Sequence, residues 1–136
     1  MDKCPVILFH TFAQGTLPKK PLKKIARRVY TMEKIPYKRK TQVIFCSDYK
    51  IARLNSMFRG KNHPTDVLSF NYNDKDLLGE IYISFERARV QARRYSVSYD
   101  NEILRLFVHG MLHLIGFDHE KPGEKKKMEA KEAQYI

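Results

Sequence analysis

Cysteine is scarce in this 136-residue chain, with Cys4 and Cys46 the full complement. Two cysteines cannot build a disulfide framework. A domain of this size does not need one, because it buries roughly two-thirds of its unfolded surface. Long apolar runs are missing as well. No stretch approaches the ~18 residues that a bilayer-spanning helix needs, so no membrane segment is expected. The first ten residues, Met1 to His10, hold a short apolar run and no small-residue cleavage site, which gives no sign of a secretory signal. Internal repeats, low-complexity tracts and linkers long enough to separate domains are absent too. These absences leave one domain over residues 1–136, expected in the cytoplasm.

Acidic residues are scarce where basic ones abound. The net charge is +11, and it is unevenly placed. Residues 1–40 carry eleven lysines and arginines against Asp2 and Glu33, whereas residues 41–136 carry fifteen against thirteen acids. Such asymmetry suggests a surface that meets a polyanion, nucleic acid first and an acidic membrane surface second. The plainer account is a solvated lysine-rich helix face.

The chain reads as alternating strands and helices. Val6 to Phe9 reads as a short strand. Pro18 and Pro21 open a helix, since proline fits a first turn. Leu22, Ile25, Val29 and Met32 give that helix an apolar stripe. Lys19, Lys20, Lys23, Lys24, Arg27 and Arg28 fill the rest of its surface, and Pro36 ends it. Thr41 to Cys46 is rich in β-branched and aromatic residues and reads as a strand. Ser47 or Asp48 caps a helix through Ile51, Leu54 and Phe58. Residues 59–64 read as a loop, Val67 to Phe70 and Gly79 to Ile83 as strands, with a polar turn between them. Ser84 caps a helix to about Ser96, and Asp100 caps the next, which is apolar nearly all round from Ile103 to Ile115 and therefore buried. Lys121 to Tyr135 reads as a charged terminal helix. The order predicts a mixed α+β domain of about four strands and five helices.

Three of the five histidines fall within eleven residues, in the run His109-Gly-Met-Leu-His113-Leu-Ile-Gly116-Phe-Asp-His119. Helical residues four apart share a face, so His109 and His113 can point at one ion. Glycine accepts a left-handed backbone, so the helix can stop at Gly116 and the chain can return His119 as a third ligand. Burying three imidazoles without partners would cost several kcal/mol, order of magnitude. Three nitrogen ligands leave a tetrahedral zinc one open position for water, which is the catalytic pattern. Imidazole also suits nickel, copper and iron. His10 and His63 read as structural or exposed.

The spacing matches the metzincin protease pattern His-Glu-x-x-His-x-x-Gly-x-x-His, with one departure. Gly110 stands where the protease has the glutamate that serves as general base. The run more closely resembles the YbeY family of bacterial endoribonucleases, whose pattern His-Gly-x-Leu-His-Leu-x-Gly-(Tyr/Phe)-Asp-His is met at every position from His109 to His119. Two further stretches match: Leu54-Asn55-x-x-Phe58-Arg59-x-Lys61 leading to Thr65-Asp66-Val67-Leu68-Ser69-Phe70, and Gly79-Glu80-Ile81-x-Ile83-Ser84, where the family more often has aspartate at Glu80. The resemblance spans roughly residues 40–136; before that it rests on element order. It implies a zincin-like domain whose central buried helix carries zinc on His109, His113 and His119. It also implies an essential arginine at Arg59 and a role in ribosomal RNA maturation, at the 3′ end of the small-subunit RNA and in ribosome quality control.

On the residues themselves, Arg59 suits a two-pronged grip on phosphate oxygens; the plainer account is a surface arginine in a polar loop. Asp118, Asp66 and Glu80 are candidates for the proton acceptor, and Asp118 alternatively orients a ligand histidine. The expected partners are single-stranded RNA, the ribosome and ribosomal proteins. Arg87, Arg89, Arg93 and Arg94 read as a solvated helix face before an RNA contact. Two other functions stay open: a metal-dependent hydrolase of another bond, such as a peptide, and a non-catalytic assembly factor whose zinc fastens a helix end, its shell completed by Cys4, Cys46 or Asp118.

Overall fold

The computed structural model describes residues 5, 7–11, 17–59, 67–72, 74–117 and 122–136. Four strands and five helices appear among them: β1 (Ile7–Thr11), α1 (Lys19–Met32), β2 (Lys40–Cys46), α2 (Asp48–Arg59), β3 (Val67–Asn71), β4 (Leu77–Ser84), α3 (Phe85–Tyr95), α4 (Tyr99–Leu114) and α5 (Pro122–Tyr135). The strands form one sheet in the order β1-β2-β4-β3. β1, β2 and β4 run parallel, and β3 is antiparallel to β4. The α+β expectation, with a mixed four-stranded sheet and five helices, holds.

Strand alternation divides the side chains between two faces. Val43, Phe45, Ile81 and Ile83 point to the main core, where Leu22, Ala26, Val29 and Tyr30 of α1 and the apolar residues of α4 meet them. Ile44, Cys46 and Leu68 point the other way and pack with Ile51 of α2, flanked by Leu54, Phe70 and Tyr82. The sheet therefore separates α4 on one side from α2 on the other.

Several local readings need correction. α4 is capped by Ser98, whose hydroxyl accepts from the Asn101 N–H at 3.0 Å. Asp100, the expected cap, sits in the first turn, where its charge still complements the helix dipole. Met32 is half exposed; the buried stripe of α1 turns through Ala26 and Tyr30 instead. α1 stops well before Pro36. Lys34 takes a left-handed conformation (φ 59°), and the Ile35 N–H reaches the Tyr30 carbonyl at 2.8 Å, a Schellman ending made without glycine. The remaining strand and helix limits fall within about two residues of expectation, the usual scatter at element ends.

Candidate metal centre

α4 is placed by close approach to the sheet. A Cβ on Gly110 would lie 2.6 Å from Ile81 Cγ2 of β4, so no larger residue fits without movement there. Ser69 of β3 donates its hydroxyl to the Gly110 carbonyl at 3.0 Å. Asn71 donates its amide to the Leu114 carbonyl at 2.5 Å and satisfies one of the last carbonyls of the helix. Gly110 thus faces the sheet. A glutamate at this position, as in the proteases, would have to push its carboxylate into Ile81.

The helix ends as its glycine requires. Gly116 has φ +105°. The Phe117 N–H bonds the Leu112 carbonyl at 3.0 Å, and the Gly116 N–H bonds the His113 carbonyl at 3.1 Å, which is a Schellman motif. The chain reverses there, directly after His113.

His109 and His113 are brought together as their spacing demands. Their ring centroids are 4.7 Å apart with the planes at 75°, and their Nε2 atoms are 3.1 Å apart. Two nitrogens bound to one tetrahedral zinc at about 2.05 Å would be roughly 3.3 Å apart. The pair therefore fits a shared ion. On its other edge, His109 Nδ1 meets the Oε1 carboxylate oxygen of Glu132 on α5. A carboxylate oxygen accepts in this contact, so Nδ1 is its donor and Nε2 is the nitrogen left facing His113. Beside this contact α4 and α5 enclose a small cleft lined by Arg105, His109, Lys125, Met128, Glu129 and Glu132.

Of the other residues named from the sequence, the site candidates His119, Asp118, Asp66 and Cys4, together with Lys61 and His63, lie outside the described residues. Among the described residues, no set of three or more His, Cys, Asp or Glu side chains converges as a metal group. Arg59 was expected in a loop; its backbone instead closes α2, and its side chain lies outside what the structure describes. The helix persists because Leu54 and Phe58 still have the second core cluster to cover.

Glu80 is corrected more firmly. It points to the α2 side of the sheet, away from α4, into a recess with His10, Gln42, Lys50 and Tyr82, and Tyr82 donates to its Oε2 at 3.3 Å. It shares no face of the sheet with the side chains that meet α4. Burial and this carboxylate push the Tyr82 hydroxyl up to about 12. His10 lines the same recess. Cys46 packs on that side too, away from the imidazole pair, and burial raises its thiol to about 11.

The basic surface is partly spoken for. The six lysines and arginines of α1 named above are all exposed, although Arg28 donates to the Gln134 carbonyl at 3.1 Å. On α3, Arg89 stacks on Phe85 and Tyr99 at 5.8 and 5.5 Å from the ring centroids, and Arg87 lies 3.4 Å from Asp48. These contacts engage Arg87 and Arg89 within the fold. No helix among the described residues is long and apolar enough to cross a membrane.

Sequence reasoning missed Glu132. Its partner is 23 residues away in the chain, and a glutamate in a charged helix carries no local mark.

The fold and the paired imidazoles together define a class: α+β hydrolases that draw histidines from a central buried helix. Comparison with known proteins narrows it. The family model for endoribonuclease YbeY matches residues 11–136, well beyond the stretch that the motifs alone cover. Endoribonuclease YbeY of Chloroherpeton thalassium is 33% identical over 132 residues, covering 96% of this chain and 92% of the relative. That of Neorickettsia sennetsu is 36% identical over 98 residues, covering 69% and 68%. The solution structure of a Thermotoga maritima protein superimposes with a TM-score of 0.61 at 32% identity, covering 94% of this chain and 86% of that one. The chain belongs to the endoribonuclease YbeY family, which places it among the enzymes that hydrolyse RNA.

Proposed function

We propose that this protein is a zinc-dependent endoribonuclease, selective for single strands, that acts in the cytoplasm on ribosomal RNA. Its work there is maturation of the small-subunit 3′ end and ribosome quality control, in contact with the ribosome and its proteins. The observation that carries the zinc reading is the facing pair of Nε2 atoms on His109 and His113, 3.1 Å apart. His119, three residues past the left-handed Gly116, is the third ligand.

When bound, zinc supplies a water of lowered pKa, from ~15.7 toward ~7, and draws charge from a phosphate oxygen. The chain's own residues do the rest. Arg59, at the end of α2, grips the scissile phosphate and offsets the charge that grows on it. The basic helix α1 and Lys61 hold the RNA strand by its backbone. With Glu80 on the far side of the sheet, Asp118 and Asp66 remain as proton acceptors. A peptide substrate is disfavoured because Gly110 sits against Ile81, where the protease glutamate would have no room.

The test incubates purified protein with single-stranded and duplex RNA, with and without a zinc chelator. Cutting of the single strand should stop with the chelator and in His113→Ala. Arg59→Ala should retain zinc and lose cleavage by roughly a hundredfold or more, as for loss of one preorganised charge-stabilising donor. Full cleavage in Arg59→Ala refutes the role of that residue. Turnover of a peptide, or no chelator-sensitive RNA cutting at all, refutes the reading as a whole.

A further inference from the structure

α5 is a polar helix, yet it is firmly held. Met128 and Tyr135 are its buried side chains. Lys131 donates to Glu33 Oε2 at 3.1 Å, and the Tyr135 hydroxyl donates to the same oxygen at 2.5 Å. Arg28 of α1 bonds the Gln134 carbonyl. Met128, Glu132 and Tyr135 are spaced four and three residues apart, so they share one helix face. Glu132 is therefore the acidic member of the stripe that packs inward. Its side chain is 15% exposed, against 21% for His109.

Two cations line the same cleft, Lys125 of α5 and, one turn before His109, Arg105. The Arg105 guanidinium closes on Glu102 with bonds of 2.8 and 2.7 Å and reaches Gln91 at 3.2 Å. With Arg105 engaged in this way, Glu132 meets the imidazole.

We propose that Glu132 is a positioning residue of the metal centre. It accepts the Nδ1–H of His109, fixes that tautomer and aims Nε2 at the ion that His113 shares. The inference rests on the ligand reading made above for His109 and His113. Its physical basis is general: a carboxylate behind a ligand imidazole orients the ring and raises its basicity, and loss of such a partner typically weakens metal binding by roughly 10–100-fold. α5 is then a clamp on the centre. Its anchors to α1 decide where the carboxylate stands, so the basic helix and the metal ligands are tied through one short element.

The experiment compares wild type with Glu132→Ala, Glu132→Gln and, as a control on the same helix, Glu129→Ala. Zinc affinity is measured by competition with a chromogenic chelator. The His109 tautomer is read from imidazole ¹⁵N shifts in the metal-free protein. Glu132→Ala should lose roughly 10–100-fold in zinc affinity, and its His109 should no longer be held with the proton on Nδ1. Glu132→Gln keeps an acceptor oxygen of similar reach, so it should keep the tautomer and lose less affinity. Glu129→Ala should match wild type. Should Glu132→Ala not fold, the Gln variant decides: a free choice of tautomer there, or zinc affinity equal to wild type, overturns the proposal. Wild-type affinity and an unchanged tautomer in Glu132→Ala do the same while leaving the ligand reading intact. Failure of the wild type itself to take up zinc overturns both.

Discussion

α4 and α5 meet at His109, and they could hardly be less alike. α4 buries nine of its sixteen residues, from Glu102 to Leu114, and is pressed on β4 until only glycine fits at position 110. Half of the α5 residues are charged, and among its described side chains Met128 and Tyr135 are the buried ones. Both nevertheless address the same imidazole, α4 by carrying it and α5 by holding its far edge. Burial fixes α4 in place through many apolar contacts. α5 is fixed by a few well-chosen ones, and a helix of that kind can do site work without looking like core.

Replacing Met128 tests that contrast with the largest expected effect on stability. Truncating a fully buried methionine to alanine costs about 2–5 kcal/mol, which urea denaturation should show. A loss under about 0.5 kcal/mol, the range of an ordinary surface change, would make α5 a solvated tail and erase the comparison. Gly110→Ala probes the other helix. The added methyl meets Ile81 at 2.6 Å, and overpacking of this kind costs about 1–3 kcal/mol. A neutral result would mean that α4 stands off the sheet and that the missing protease glutamate has no steric explanation.

The two helices also show what can be read from a chain before its structure is seen. The ligand pair on α4 is a matter of spacing, and His109, His113 and Gly116 declare it: a four-residue step stacks two rings, and a glycine ends the helix. Ser84 and the sheet strands were legible for the same reason, since caps and alternation act over a few residues. Glu132 was not, because its meaning depends on how α5 docks, and docking is set by Met128, Tyr135 and Glu33 together. Glu80 misled for a related reason. Its family position drew attention, whereas one step of strand alternation sends it to the opposite face from the histidines. Arg59 falls in the expected loop of residues 59–64, yet the apolar stripe of α2, Ile51, Leu54 and Phe58, carries the helix on to it. Asp100 lost the cap to Ser98 by a two-residue shift, the margin within which several residues can each satisfy the same amides.

One cation held by imidazoles, with a place left for water, is the centre of the proposed chemistry. X-ray absorption at the zinc edge on protein loaded with one equivalent tests this directly. Three nitrogen ligands at about 2.0–2.1 Å, with imidazole scattering and one further light atom, are predicted, and the imidazole scattering should fall in His113→Ala. Sulfur in the shell, a fourth imidazole, or fewer than two imidazoles would contradict it.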